Sequence, residues 1–150
     1  MNRYPTKRNS NSKKSNPISH GENVTIEIDN SATKKKVYFK NEEPVVRIEV
    51  HIVGKMVEQH GKGDLTSAGN IKALETEVSL KMKKIISDVI GNVQKNYQTD
   101  IFGFGDLVHK KNLTYWRKVK TNWDSIFSDL PVEIEVQYKN KDMGFIKAHK

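Results

Sequence analysis

The chain has 150 residues, of which 35% are apolar, and it carries a formal net charge of +8 without any cysteine. This length is typical of one domain, and the sequence contains neither the run of about 18 apolar residues that a membrane span requires nor the apolar stretch of a secretory signal. The absence of cysteine excludes disulfides, thiolate nucleophiles and zinc sites built on sulfur.

The positive charge is concentrated at the N-terminus. Subtracting five basic residues of the first twenty from the total of +8 leaves +3 for the other 130 residues. Those five are Arg3, Lys7, Arg8, Lys13 and Lys14. The stretch is rich in Asn, Ser, Lys and Pro, so we predict a disordered basic tail over 1–20 and a folded domain over 21–150. A solvated leader is the simplest interpretation of the tail, and contact with an anionic membrane surface or with nucleic acid is the alternative.

Three strands are predicted in the first third of the domain, over 24–29, 35–40 and 45–54. The first and third alternate between apolar and polar residues, the period of two expected of half-buried strands. In the third strand, one face carries Val46, Ile48, Val50 and Ile52, and the other carries Arg47, Glu49 and His51. The turn "NEEP" and the other short links favour antiparallel hairpins.

A long amphipathic helix is predicted over 70–97, because apolar residues recur there every three or four positions. The stripe consists of Ile71, Leu74, Val78, Met82, Ile85, Val89, Val93 and Tyr97. Thr66, Ser67 and Asn70 are the candidate N-caps. Gly91 inside this helix has two interpretations, close packing against a neighbour or tolerance at the surface.

A second, shorter helix is predicted from "NLTYWRKVKTNWDSIF", where Trp116, Val119 and Trp123 share one face. A final strand begins at Val132, where apolar and polar residues alternate again. The predicted fold class is therefore α+β, a mostly antiparallel four-stranded sheet packed by one long helix and two short helices.

The stretch "DIFGFGDLVHKK", residues 100–111, lies between the two predicted helices. It does not fit a phosphate-binding loop, because the third glycine of G-x-G-x-x-G falls on Val108 and the preceding element is a helix. We interpret it as a packing corner. Gly103 and Gly105 permit backbone angles or close approaches that a Cβ forbids, and Phe102 and Phe104 anchor the corner to the core.

No residue pattern indicates an enzyme, a cofactor or a small-molecule substrate. Asp106 and His109, three residues apart, are the pair that a metal site or a hydrolase would use, but no serine is tied to them by a known spacing. Packing or capping is the simpler role for His109. A second hypothesis is a small basic nucleic-acid-binding protein, since aromatic and basic residues alternate from 102 to 123. A shared helical face for Trp116 and Trp123 favours a core role instead.

The run "DIFGFGDLVHKKN", followed by "YWRKVKTNWDSIF", a strand and "MGFIK", resembles the C-terminal domain of the GerAC, or Ger(x)C, family of spore germination proteins. The resemblance covers residues 24–147. Its specific residues are Asp100, Phe102, Gly103, Phe104, Gly105, His109, Trp116, Trp123 and Phe127.

The resemblance implies the C subunit of a germinant receptor. Members of the family are lipoproteins on the outer face of the spore inner membrane, and two membrane-embedded receptor subunits are their partners. It also implies a non-catalytic interaction domain, with the motif residues from Asp100 to Trp123 as structural or interaction candidates. A signal peptide, a lipid-bearing cysteine and the preceding domains are missing, so we expect a truncated copy or a fragment, soluble as written. Leu113 stands where proline often follows the motif.

Overall fold

Two long strands form a hairpin at the start of the fold. The computed structural model describes residues 23–60 and 67–141; the predicted tail over 1–20 lies outside them. Strand β1 (Asn23–Lys40) pairs antiparallel with β2 (Glu43–His60). Asn41 and Glu42 connect them with φ values of 50° and 66°. A two-residue loop with positive φ at both positions matches the twist of the strands it joins.

The prediction of two separate strands over 24–29 and 35–40 is wrong, because β1 continues through both. Asn30 and Ser31, which suggested a break, pair with Val53 and Ile52 of β2. A register shift between Ile28 and Asn30 accommodates them. Pairing with a neighbouring strand overrides the weak strand propensity of these residues, since propensity in sheets depends on context.

The third strand corrects the predicted sheet a second time. Strand β3 (Val132–Asn140) pairs with β2 in parallel, from Val46 opposite Val132 to Gly54 opposite Asn140. In the described part of the chain the sheet has three strands in the order β1-β2-β3 and is mixed, instead of four-stranded and mostly antiparallel. The chain passes through the whole helical region between β2 and β3, so it returns to the same end of the sheet and runs in the same direction.

One face of the sheet is apolar and the other is charged. On β2, Val46, Ile48, Val50 and Ile52 are buried, as the alternation predicts. Across the parallel ladder they face Val132, Ile134, Val136 and Tyr138. On the opposite face, Arg47 Nη2 contacts Glu135 Oε2 at 2.6 Å and Lys36 Nζ contacts Glu49 Oε1 at 3.2 Å. The core therefore lies on one side of the sheet.

Helix α1 (Ala68–Asn92) packs on the apolar face along β3 and ends in a π-helical turn (Val93–Tyr97). Ser67 is the N-cap, and its Oγ accepts a hydrogen bond from Asn70 N at 3.3 Å. Helix α1 is held to β3 by two bonds, from Tyr138 N to Ser79 Oγ and from Asn140 N to Glu75 Oε1, both 2.9 Å.

The predicted stripe of α1 is only partly correct. Leu74 and Val93 are buried, but Ile85, Val89 and Tyr97 are 54%, 51% and 69% exposed. The core-facing residues of the second half are instead Ile86 and Ile90, together with Val93. The predicted stripe runs from 71 to 97 in seven steps. Its average spacing is therefore about 3.7 residues, and a pattern that differs from 3.6 residues per turn drifts around the surface of a straight helix.

Three short helices close one end of the fold: α2 (Phe104–Lys111), α3 (Leu113–Val119) and α4 (Trp123–Asp129). The single helix predicted from 112 to 127 is interrupted, because a 3-10 turn (Lys120–Asn122) separates α3 from α4. Thr121 and Asn122 are poor helix formers, so the break falls where the local preference for a helix is weakest. The prediction of two short helices is therefore wrong, because the described residues form three.

The structure also distinguishes the two interpretations of Gly91, because a Cβ added there meets nothing within 4 Å. The glycine is a surface position, and no packing requires it. We expect Gly91→Ala to raise the free energy of unfolding by up to about 1 kcal/mol, since glycine disfavours a helix by that amount relative to alanine. Urea denaturation of the purified domain measures it, and a decrease in stability would contradict this account of Gly91.

Candidate functional site: the Phe-Gly elbow

The carboxylate of Asp100 organises the stretch 100–105, which we call the elbow. Asp100 Oδ1 accepts hydrogen bonds from Phe102 N at 3.2 Å and Phe104 N at 3.1 Å. Asp100 Oδ2 accepts from Gly105 N at 2.6 Å and from the indole Nε1 of Trp123 at 3.0 Å. Two of the donors, Phe104 N and Gly105 N, are backbone N–H groups of the first turn of α2, which have no partner within the helix. Phe102 N lies just before the helix. One side chain therefore caps α2 and fastens it to α4.

Both glycines of the elbow are required by geometry, for two different reasons. Gly103 has φ 76° and ψ 28°, the left-handed conformation that glycine adopts without strain. Gly105 has an ordinary backbone, but a Cβ there would lie 2.8 Å from Trp123 Nε1 and 3.1 Å from Trp116 Cη2. The first glycine turns the chain into α2, and the second lets the helix backbone approach two indole rings.

The two phenylalanines of the elbow are part of the core. The ring of Phe104 is fully buried, as is that of Phe127 from α4, and Phe102 packs against the same cluster. The centroids of Phe102 and Phe104 are 5.3 Å apart, and Phe127 lies 6.3 and 6.2 Å from them. Aromatic rings at these separations attract one another beyond the area they bury. The elbow is thus a packing joint.

The indole rings form a second aromatic group beside the first. Trp116 of α3 and Trp123 of α4 meet edge to face at 5.4 Å, and His109 of α2 lies 5.8 Å from Trp116. Trp123 is buried, whereas Trp116 is half-buried and His109 is exposed. The contact between the two indoles spans the 3-10 turn and compensates for the interruption of the predicted helix.

Three polar side chains join the elbow region to the rest of the fold. Lys35 of β1 donates from Nζ to Phe102 O at 2.7 Å. Gln94 of the π-helical turn donates from Nε2 to Phe127 O and Leu130 O, each at 2.9 Å. Tyr115 of α3 reaches the β1–β2 turn, where its hydroxyl lies 3.4 Å from Glu43 Oε2. Burial, with the Glu43 carboxylate nearby, raises the pKa of Tyr115.

The structure brings together all eight residues proposed from the sequence. All of them except His109 form the bonded and packed group described above. His109 contacts this group only through the ring of Trp116. Asp106 is exposed in the first turn of α2. Within 23–60 and 67–141, no three His, Cys, Asp or Glu side chains come close enough together to hold a metal ion.

Sequence reasoning missed three residues outside the motif that fix the fold or attach the elbow region to it. Tyr138 is 1% exposed and its hydroxyl donates to Asn140 Oδ1 at 2.9 Å; burial raises its pKa to about 12. The alternation of β3 was a sufficient signal, since Tyr138 falls in phase with Val136. Gln94 and Lys35 had no such signal, because their acceptors are backbone carbonyls far away in the sequence.

Comparison with known proteins assigns the chain to a family. Residues 5–144 match the family described as "Spore germination B3/ GerAC like, C-terminal". The chain belongs to this family. It is 29% identical over 127 residues to spore germination protein B3 of Bacillus subtilis (strain 168), covering 84% of this chain and 34% of that protein. It is 24% identical over 115 residues to spore germination protein KC of the same organism, covering 76% and 28%.

A solved structure supports the assignment to the GerAC-like family. The crystal structure of the GerBC protein superposes with a TM-score of 0.71 at 28% sequence identity, over 83% of this chain and 39% of that one. The chain spans about a third of the length of the curated relatives it matches. The predicted resemblance to the C-terminal domain is therefore confirmed. Among the described helices, none combines the length and the apolar composition needed to cross a bilayer.

The close approach at Gly105 predicts a large effect of one methyl group. Gly105→Ala should lower the free energy of unfolding by about 1–3 kcal/mol, because the added Cβ overpacks against the two indoles. Gly69→Ala is the matched control, since a Cβ there meets nothing within 4 Å. Urea denaturation followed by tryptophan fluorescence compares the two, and equal stability of both variants would contradict the packing account.

The four bonds to Asp100 predict a second effect. Asp100→Asn should lower the free energy of unfolding by about 1.5–3 kcal/mol, because its amide group faces N–H donors where the carboxylate accepted from them. Asp106→Asn on the same helix should change it by less than about 1 kcal/mol, the size of a helix-dipole effect. Thermal unfolding of both variants measures the difference. A loss for Asp100→Asn no larger than that for Asp106→Asn would show that the cap is not essential.

Proposed function

We propose that this domain is a non-catalytic interaction and assembly domain of a germinant receptor C subunit, acting in nutrient-triggered spore germination. Membership of the GerAC-like family supports the role in germination. The observation that carries the non-catalytic part is that both oxygens of Asp100 are occupied by four internal donors. A carboxylate engaged in this way stabilises a fold and is not available to a substrate.

The partners we propose are the membrane-embedded subunits of the same receptor, at the outer face of the spore inner membrane. The length of the relatives supports an assembly role, since this domain is about a third of each of them. The nucleic-acid hypothesis has no such support. Stacking on bases requires open rings, whereas Trp123 is buried and Trp116 packs against it.

The absence of catalysis is tested with the exposed pair His109 and Asp106. We expect a full-length protein with His109→Ala and Asp106→Asn to support nutrient-triggered germination within about twofold of the wild-type rate, because neither side chain is part of the bonded elbow. Loss of an essential general base slows a reaction by at least about a hundredfold. A decrease of that size in the germination rate, with normal protein levels in the spore, would contradict the non-catalytic proposal.

Assembly is tested by purification of the tagged full-length protein from spore membranes. The two membrane subunits of the receptor should co-purify with it, and they should be lost when the domain carries Gly105→Ala together with Asp100→Asn, which weaken the joint. Protein levels and thermal unfolding of the purified domain control for degradation. Equal recovery of the subunits with the unfolded domain would show that this domain does not hold the receptor together.

A further inference from the structure

An apolar groove runs between strand β1 and helix α1; we call it the β1–α1 groove. It consists of two neighbouring cavities of ≈ 290 and ≈ 300 Å³, and Ile85 lines both. Residues of β2 line both cavities, among them Ile52 in one and Ile48 with Val50 in the other. The groove exists because α1 is bonded to β3, at the far side of the sheet, through Ser79 and Glu75.

The rims of the groove expose large aliphatic side chains. Ile28 on β1 is 53% exposed, and Ile85 and Val89 on α1 are 54% and 51% exposed. Single exposed aliphatic residues are ordinary on a protein surface, but a contiguous group of them beside a cavity marks a place where another molecule binds. The same helix offers a contrast in Leu80, which is 62% exposed and lines neither cavity.

Four polar residues interrupt the apolar lining: Glu77 and Lys81 in the first cavity, and Thr33 and Lys35 in the second. Glu77 of α1 lines the first cavity, and its Oε2 is buried with no hydrogen-bond partner among the described residues. Its Oε1 lies 3.8 Å from Lys81 Nζ, at the far end of ion-pair range. A buried acceptor without a donor is unfavourable, and more so when it is charged. The first cavity therefore combines aliphatic surface with one carboxylate oxygen, Glu77 Oε2, that has no donor among the described residues.

The dimensions of the groove favour a peptide segment over a small molecule. From Leu74 to Val89 the α1 wall is about 22 Å long at 1.5 Å per residue. This length matches about seven residues of extended chain at 3.3 Å each. Glu77 lies near one end, about 12 Å from Ile85 and about 18 Å from Val89 along the helix axis.

We propose that the β1–α1 groove binds an apolar segment of a partner protein that places a lysine or arginine on Glu77. The cation lies at one end of the segment, and aliphatic side chains follow it to meet Ile85 and Val89. The inference rests on the assembly function proposed above and names the surface and the partner chemistry that assembly uses. The lysine or arginine of the partner donates a hydrogen bond to Glu77 Oε2, and the aliphatic side chains of the partner cover the exposed rims of the β1–α1 groove.

A pair of blocked seven-residue peptides tests the chemistry of the groove on the intact chain. One has a lysine followed by alternating serine and leucine, and the other has glutamate in place of the lysine. In methyl NMR titrations the lysine peptide should shift the signals of Ile28, Ile85 and Val89 and bind at least tenfold more tightly than the glutamate peptide. Equal affinity, or no shift at these methyl groups at millimolar peptide, overturns the proposal.

Three variants locate the effect. Ile85→Asp should abolish binding of both peptides, and Leu80→Asp, on the same helix and slightly more exposed, should leave it unchanged. Glu77→Gln should reduce the preference for lysine to about twofold or less without lowering the unfolding temperature, which a purely structural role for Glu77 would lower. Concentration-dependent dimers in sedimentation that Ile85→Asp abolishes would instead identify a second copy as the occupant and refute the proposal.

A final comparison separates this inference from the proposed function. Ile85→Asp and Leu80→Asp are placed in the full-length protein and the receptor is purified from spore membranes. Loss of the other subunits with Ile85→Asp alone supports the groove. If the wild-type protein retains them and Ile85→Asp does so equally, the groove is not the surface used, while assembly stands. If the wild-type protein retains none, the assembly function itself is wrong.

Discussion

The carboxylate of Asp100 is the interaction on which the rest of this structure depends. Its two oxygens accept four hydrogen bonds: two from the first turn of α2, one from Phe102 just before it, and one from Trp123 of α4. Without it, two backbone N–H groups at the start of α2 and one just before it would lose this acceptor, and the joint between α2 and α4 would lose its polar anchor. A charged acceptor is suited to this task because hydrogen bonds to charged groups are stronger than neutral ones.

The shape of the helical layer follows from this joint. Because α2, α3 and α4 are gathered around Phe104 and the two indoles, the chain returns from α4 directly into β3, where Val46 N donates to Pro131 O at 3.0 Å. The bonds from Gln94 to the end of α4 fix the same junction from the side of α1. Two hydrogen bonds to β3 hold α1 over the β3 side of the sheet. The apolar face of β1 therefore remains open and forms one wall of a groove. A packing joint at one end of the fold and an open surface along its side are thus consequences of one arrangement.

The motif and the open surface have different roles in this account. Phe102, Phe104 and Trp123 pack inside the domain. They stabilise its fold without contacting a partner. The groove is built from ordinary aliphatic residues of α1 and β1 that no short motif reveals. Residues that identify a family in sequence are therefore not the ones that we expect to touch its partners, because a core tolerates few alternatives and a docking surface tolerates many.

The sequence by itself determined the α+β class, the position of α1, the inward face of β2 and the structural nature of the elbow. Each of these depends on local periodicity or on glycine and aromatic residues within a few positions of one another. Only the tertiary structure decided that 24–40 is one strand, that β3 is parallel to β2, and that Ile85 and Val89 remain exposed. These depend on which strand accepts each backbone N–H and on which side of the sheet holds the helix. These pairings and packing contacts join residues far apart in the chain, so a pattern read along the chain does not by itself fix them.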